Sequence, residues 1–143
     1  MADHELTLKV RHSETGLYQM AQHNNYYIWM EMALLDFLEK LGWPLSMLSA
    51  RGVNFPLVEA NCQYLGAAHM GDQLLVQLRL LDIGLVKATF GYTISRQSDG
   101  ACIAKAEMVH VCVDGNMRPV LLNKRVPELY NALLRIKEAQ AAE

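Results

Sequence analysis

The stretch HNNYYIWMEMALLDFLEKL, residues 23–41, has a regular apolar pattern. Its large apolar residues recur at intervals of three and four, which is the spacing of one face of an α-helix. The members of this stripe are Tyr26, Met30, Ala33, Leu34, Phe37, Leu38 and Leu41. The asparagines at positions 24 and 25 can each cap a helix, and Gly42 can end one. The pattern predicts a long helix with a wide apolar face that other elements must cover.

The sequence on both sides of this helix predicts strands. Residues 6–11 alternate between apolar and polar side chains, which is the pattern of a half-buried strand. Four later segments, separated by turns that contain glycine, are also expected to be strands. They cover about residues 54–65, 73–83, 86–96 and 101–113. A last, short helix is expected to begin at Pro127, with a frayed tail at about 140–143.

This order of elements predicts one α+β domain over residues 1–143. A chain of this length can bury roughly two-thirds of its unfolded surface in one core. Because the strands are near neighbours in sequence, we expect an antiparallel sheet of about five strands that curls around the long helix. A partner can extend such a sheet at its edge or cover its face, so a homodimer or homotetramer is expected.

The composition excludes several classes of function. The chain is 20% charged with a formal net charge of −2, which argues against electrostatic binding to nucleic acid. The N-terminal residues lack the apolar core of a signal peptide, and no run approaches the ~20 apolar residues of a membrane span. We therefore expect a cytoplasmic protein without a membrane partner. The five histidines show no zinc-site spacing, and there is no serine elbow, phosphate loop or dinucleotide fingerprint.

The spacing His23-Asn24-Asn25-Tyr26, with Glu31 eight residues after His23, resembles the helix-start signature of the 4-hydroxybenzoyl-CoA thioesterase family. Three later stretches resemble that family in the same order: YLGAAHMGD at 64–72, ATFGYTI at 88–94 and AEMVHVCVD at 106–114. The likeness runs from about residue 8 to about residue 130. It implies a hotdog fold and cofactor-free hydrolysis of acyl-CoA or acyl-carrier-protein thioesters.

The chain departs from that family at one important position. The family typically has an aspartate seven residues before the helix-start histidine, where it acts as nucleophile or general base. Here that position is Gly16. Two residues earlier, at another position that is often acidic in the family, stands Glu14. The resemblance therefore implies a thioesterase with an atypical active site.

Thioester hydrolysis needs an activated water or a nucleophile, and donors that stabilise the oxyanion. Backbone N–H groups near His23 and Asn24 can polarise the carbonyl, helped by the helix dipole. The His23 imidazole can bind a water or Glu14, and Asn25 and Tyr26 can orient the water or the carbonyl. By spacing alone these residues are more simply helix caps, whereas the resemblance favours a catalytic role for His23.

Glu14 has two interpretations. It can act as a general base through water, with a pKa tuned by partial burial, if the strand period continues and places it beside Gly16. It can equally be a structural or solvated glutamate at a strand end.

Other positions carry weaker predictions. Glu31 is expected to be a buried hydrogen-bonding anchor, because buried carboxylates need partners. His69, beside the Gly71-Asp72 turn, is the basic residue expected to meet a coenzyme A phosphate. A non-catalytic thioester-binding or scaffolding protein is the main alternative to a hydrolase, because Gly16 lacks a carboxylate. A dehydratase is a third hypothesis. It needs a histidine and an acid across the site, and His23 with Glu14 is the only such pair found.

Overall fold

The computed structural model describes residues 1–143, with five strands and four helices. The strands are β1 (His4–Lys9), β2 (Leu57–Tyr64), β3 (Gln73–Ile83), β4 (Lys87–Arg96) and β5 (Cys102–Val111). The helices are α1 (Asn24–Lys40), α2 (Leu45–Ala50), α3 (Leu122–Arg125) and α4 (Pro127–Ala141). Two 3-10 turns, His12–Glu14 and Leu17–Gln19, lie between β1 and α1.

The five strands form one sheet in the order β1-β3-β4-β5-β2. Strands β1 and β3 are antiparallel, with Leu6 opposite Val76 and Leu8 opposite Leu74. Buried residues alternate along β3 and β4, as expected for strands with one face on the core. The predicted α+β organisation, with a five-stranded antiparallel sheet and one long helix, is confirmed.

The contacts within the chain define two compact units; residues 24–34 of α1 belong to the first and residues 35–40 to the second. The first comprises Met1–Leu34, Asn61–Arg79 and Gly91–Ala106. In it, Trp29 is 1% exposed and Met30 and Ala33 are fully buried. Burying a large apolar side chain contributes about 1.5–3 kcal/mol, so the apolar stripe of α1 stabilises this unit through its packing.

The second unit comprises Leu35–Ala60, Leu80–Phe90 and Glu107–Glu143. Here Phe37 of α1 meets Phe90 edge to face at 6.4 Å between ring centroids. Near the end of α4, Lys137 donates a hydrogen bond to the carbonyl of Leu81. These contacts hold the end of α1 and α4 against the strands of the unit.

The structure differs from the expected order just before α1. The first strand ends at Lys9, and a 3-10 turn at His12–Glu14 replaces the predicted continuation of the alternation. The turn forms because the Glu14 carboxylate accepts the N–H of Arg11 at 2.8 Å, which closes the chain on itself. The short helices α2 and α3 are also additions to the predicted set.

Glu31 corrects another expectation. It is exposed on α1 rather than a buried anchor. It follows Met30, which is fully buried, and successive residues of a helix lie about 100° apart around its axis. Glu31 therefore falls outside the buried stripe.

Candidate active site

Residues 15–21, between the first 3-10 turn and α1, lie close to the loop at residues 65–72. Thr15 pairs with Ala21 and Met20 pairs with His69 in short antiparallel bridges. The N–H of Ala21 also donates to the carbonyl of Ala68 at 2.8 Å. These bonds bring two predicted site residues, Gly16 and His69, into the same region as the start of α1.

Tyr18 and Gln19, within this segment, both have left-handed backbone conformations, with φ of 60° and 59°. Such conformations cost about 1–3 kcal/mol each for residues other than glycine. The segment is stabilised by hydrogen bonds at its ends, from Gly16 N–H to Met20 O and from Met70 N–H to Gln19 O. Leu17 and Tyr18 project into solvent, being 83% and 87% exposed.

Glu14 lies at the helix start and is only 5% exposed. Its carboxylate accepts hydrogen bonds from the Trp29 indole N–H and from the backbone N–H of Arg11, both at 2.8 Å. The Arg11 guanidinium adds a longer contact of 3.4 Å. The carboxylate is therefore bound by groups of the chain itself on more than one side.

Burial and hydrogen bonding act on Glu14 in opposite directions. Burial acts to raise the pKa of its carboxyl group, but the hydrogen bonds from Arg11 and Trp29 outweigh it, and the pKa is lowered overall. A carboxylate with a lowered pKa accepts a proton less readily. Glu14 as a general base stays a prediction, and its hydrogen bonds favour a positioning role.

Asn25 and Tyr26 are both buried, and both bind the backbone of neighbouring segments. The Asn25 side-chain amide donates to the carbonyl of Glu14 at 2.7 Å. The Tyr26 hydroxyl accepts the N–H of Ala68 at 3.3 Å, and burial raises the pKa of that hydroxyl. The two side chains tie the first turn of α1 to the segments on either side of it.

The backbone N–H groups of His23 and Asn24 make no hydrogen bond within the chain. The next two N–H groups are already bonded, from Asn25 to the carbonyl of Gln22 and from Tyr26 to the carbonyl of His23. Unpaired N–H groups at the N-terminus of a helix, together with its dipole, form a favourable place for negative charge. The side chains of His23 and Asn24 are exposed beside them.

Tyr64, at the end of β2, lies at the candidate site but was not singled out from the sequence. Its hydroxyl donates to the carbonyl of His23 at 3.2 Å. Its ring lies 5.0 Å from that of Tyr26 and 6.5 Å from that of His23, between centroids. Tyr64 begins the YLGAAHMGD stretch, but nothing in its spacing predicts contact with a helix 41 residues away in sequence.

The loop that carries His69 is fixed by charged groups. The N–H of His69 donates to the Asp72 carboxylate at 2.9 Å, and Arg96 of β4 donates to the carbonyl of Ala67 at 2.7 Å. Arg96 also pairs with Asp99 at 3.1 Å. The His69 side chain is half exposed, with Nδ1 4.0 Å from Asp72. The loop therefore presents an imidazole to solvent from a fixed backbone.

Two further structural facts bear on function. No group of three or more His, Cys, Asp or Glu side chains is arranged to hold a metal ion. No helix has both the length and the apolar character required to span a bilayer.

Comparison with known proteins identifies the family to which this chain is similar. Residues 10–139 match the model of the Thioesterase-like superfamily. The chain is 30% identical over 132 residues to a Bacillus subtilis protein named "Putative acyl-CoA thioesterase YneP", covering 92% of this chain and 95% of that one. It is 28% identical over 91 residues to a 1,4-dihydroxy-2-naphthoyl-CoA hydrolase from Synechocystis, covering 64% of this chain and 61% of the hydrolase.

A solved structure supports the fold. The DHNA-CoA thioesterase from Staphylococcus aureus superposes with a TM-score of 0.91 at 19% sequence identity, covering 97% of this chain and 93% of that one. The predicted hotdog fold is thereby confirmed. With the family model spanning nearly the whole chain, the protein belongs to the Thioesterase-like superfamily.

Proposed function

We propose that this protein hydrolyses acyl-CoA or acyl-carrier-protein thioesters to a free acid and a thiol. Coenzyme A enters only as part of the substrate, and no other cofactor is needed. The family and the names of the relatives support this class of reaction. The reaction is proposed to occur at the start of α1.

The observation that carries the proposal is the pair of unpaired N–H groups at His23 and Asn24. When water attacks the thioester, negative charge develops on the carbonyl oxygen. Donors that already point at this oxygen stabilise the transition state, and loss of one such donor typically lowers the rate by ~10²–10³. His23, immediately before α1, and Asn24, its first residue, can supply two donors without any side-chain contribution.

The exposed His23 imidazole is the proposed acceptor of the water proton. An imidazole is the side chain that most often acts as a general base. Glu14 supports it indirectly, because the Glu14 carbonyl and carboxylate hold Asn25 and Trp29 of α1. The alternative, Glu14 as the base acting through water, requires its carboxylate to accept a proton in spite of a lowered pKa.

His69 is proposed to bind the coenzyme A portion of the substrate. Its side chain is half exposed on the loop that pairs with Met20, close to the start of α1. A protonated imidazole there can bind a phosphate through a charge-assisted hydrogen bond. Gly16, on the same side, is proposed to contact the substrate or water through its backbone, because the Gln22 side chain lies against the position of its missing side chain.

The chain is proposed to assemble with copies of itself as a homodimer or homotetramer. Strand β2 is at one edge of the sheet, and seven of its eight residues are exposed. Among them Leu57 is 46% and Val58 is 55% exposed. An exposed apolar edge strand readily pairs with another strand. A cytoplasmic location, where coenzyme A thioesters are available, is part of the same proposal.

A non-catalytic thioester-binding protein is the second candidate function. It is favoured by one observation: Gly16 offers no carboxylate, and that of Glu14 already accepts hydrogen bonds from Arg11 and Trp29. Such a protein keeps the fold and the binding surface but does not turn over its ligand.

A thiol-release assay separates the two functions. The panel contains short, long and aromatic acyl-CoA thioesters, among them 1,4-dihydroxy-2-naphthoyl-CoA because of the relative that acts on it. Turnover of at least one of them well above the uncatalysed rate is expected. Measurable binding without turnover of any of them would favour the binding protein instead.

A further inference from the structure

Gln22 fills the space beside Gly16. A β-carbon added to Gly16 would lie 3.0 Å from the Gln22 Nε2 atom and 3.3 Å from its Cγ atom. Gly16 is the position at which the resemblance implies a catalytic aspartate. The side-chain amide of Gln22 therefore lies directly against the position where that acid would begin.

The backbone of Gln22 is fixed, whereas its side chain is free to bind. Its N–H donates to the carbonyl of Glu14 at 3.0 Å, and its carbonyl accepts the N–H of Asn25 at 3.0 Å. Its carboxamide makes no hydrogen bond within the chain and is exposed. A polar group with both a donor and an acceptor is thus held immediately before the free N–H groups of His23 and Asn24.

We propose that Gln22 orients the hydrolytic water beside Gly16, in the role that an aspartate has in the resembling family. This inference rests on the proposed function and names the residue that holds its water. The carboxamide oxygen can accept a hydrogen bond from the water, and Nε2 can donate one. A carboxamide does not accept a proton near neutral pH, so Gln22 fixes the direction of attack while another group takes the proton.

The water and the groups at the helix start account for every bond and proton of the proposed hydrolysis. The water oxygen forms a bond to the acyl carbon, and the carbon–sulfur bond then breaks. One water proton passes to the His23 imidazole and from there to the departing thiolate. The products are the carboxylic acid and the free thiol, and His23 returns to its neutral form.

A purely space-filling Gln22 would give different results from a water-orienting one. Methionine has nearly the same length as glutamine but lacks its hydrogen-bonding groups, so Gln22→Met separates the two roles. Misplacement of a reacting group can lower a rate by roughly 10²-fold. For an orienting role we expect Gln22→Ala and Gln22→Met both to lower kcat by about that factor, with KM changed less than about twofold and the melting temperature unchanged.

Gln22→Glu adds a readout that a structural role would not change. It places a carboxylate beside the proposed water, in the position of the Gln22 carboxamide, and this group can accept the water proton itself. We expect the variant to keep substantial activity and its kcat to fall as the pH drops through the titration range of the new carboxyl group. Wild-type kcat should not share this added acidic decline.

Gly16→Ala tests the contact itself. Its added methyl must shift the Gln22 amide by a few tenths of an ångström, because the two would otherwise lie 3.0 Å apart. We expect Gly16→Ala to lower kcat in the wild-type background and to have little further effect when combined with Gln22→Ala, since neighbouring residues in one interaction are not additive.

The outcomes distinguish this inference from the proposed function. If wild type hydrolyses a thioester and both Gln22→Met and Gln22→Ala keep its kcat, the role of Gln22 is overturned while the hydrolase stands. If wild type releases no thiol from any thioester of the panel, the proposed function fails and the role of Gln22 fails with it. A tenfold or greater loss of kcat in Gln22→Met at unchanged stability supports the inference.

Discussion

The indole N–H of Trp29 donates to the Glu14 carboxylate at 2.8 Å, and the two residues are 15 positions apart in sequence. This bond joins the 3-10 turn before α1 to the second turn of the helix. The Trp29 ring also stacks on Tyr26 at 5.1 Å between centroids. The start of α1 is therefore held by a buried carboxylate and an aromatic stack together.

Trp29→Phe should destabilise the protein by removing this donor. A hydrogen bond to a charged group contributes about 1.5–3 kcal/mol, and the phenyl ring keeps most of the packing. We expect the free energy of unfolding to fall by about that amount, as measured by urea denaturation and circular dichroism. Trp43→Phe is the control. Its ring lies under the Arg51 guanidinium at 5.0 Å, and the change should cost less than about 1 kcal/mol. Equal losses in the two variants would contradict the assignment.

Glu14 should give the protein a specific sensitivity to acid. Its pKa is lower in the folded chain than in the unfolded chain, so as the pH falls the unfolded chain binds this proton first. The stability that Glu14 contributes is present above its unfolded pKa and is lost as the pH falls through the folded pKa.

Glu14→Gln should remove this component. The variant should be less stable than wild type at neutral pH, and the difference should shrink as the pH falls through the acidic range. Denaturant titrations at a series of pH values measure it. Glu39→Gln, at an exposed position of α1, should instead follow wild type. A difference between Glu14→Gln and wild type that stays constant with pH would show that the hydrogen bonds do not depend on the charge of Glu14.

Much of the fold could be predicted from the sequence, because local pattern determines it. The apolar stripe at intervals of three and four predicted α1 to within a residue or two, and the turn signals between the later segments predicted β3 and β4 closely. The 3-10 turns could not be predicted in this way. They depend on Glu14 meeting Trp29 and on Met20 pairing with His69, and such tertiary contacts leave no periodic pattern.

The site was predicted less completely than the fold. The resemblance located the helix start, but the structure shows that Asn25 and Tyr26 bind the chain's own backbone. Tyr64 was missed because it contacts a residue distant in sequence, and Gln22 was missed because its side chain packs against a glycine. Patterns of residue types do not encode either relationship.

Tyr64→Phe should lower the rate of catalysis and cost no more stability than one hydrogen bond. The phenylalanine ring keeps its contact with Tyr26, but the hydrogen bond to the His23 carbonyl is lost. A neutral hydrogen bond contributes about 0.5–1.5 kcal/mol, which corresponds to as much as a tenfold fall in kcat. Steady-state thiol release measures it. Tyr130→Phe, on α4, should leave kcat unchanged, and an equal fall there would remove the case for Tyr64.

Val58→Lys should weaken the proposed assembly at the β2 edge. A lysine on an edge strand opposes pairing with another strand through charge and solvation. We expect the sedimentation coefficient of the variant to decrease relative to wild type at equal concentration. Leu121→Lys, at a similarly exposed apolar position outside the sheet, should sediment like wild type. A wild-type protein that sediments as a monomer would contradict the proposed oligomer directly.

Asn24→Pro tests the central claim, that the first N–H groups of α1 polarise the thioester carbonyl. Proline lacks the N–H group but is well tolerated at the first position of a helix, as Pro127 already shows at the start of α4. Asn24→Ala removes the same side chain and keeps the N–H group, so it is the matched control. The measurement is kcat for thiol release by both variants, with the melting temperature taken in parallel. The account predicts a loss of about 10²–10³-fold in Asn24→Pro and a much smaller one in Asn24→Ala. Equal kcat values for the two variants, at equal stability, would contradict it.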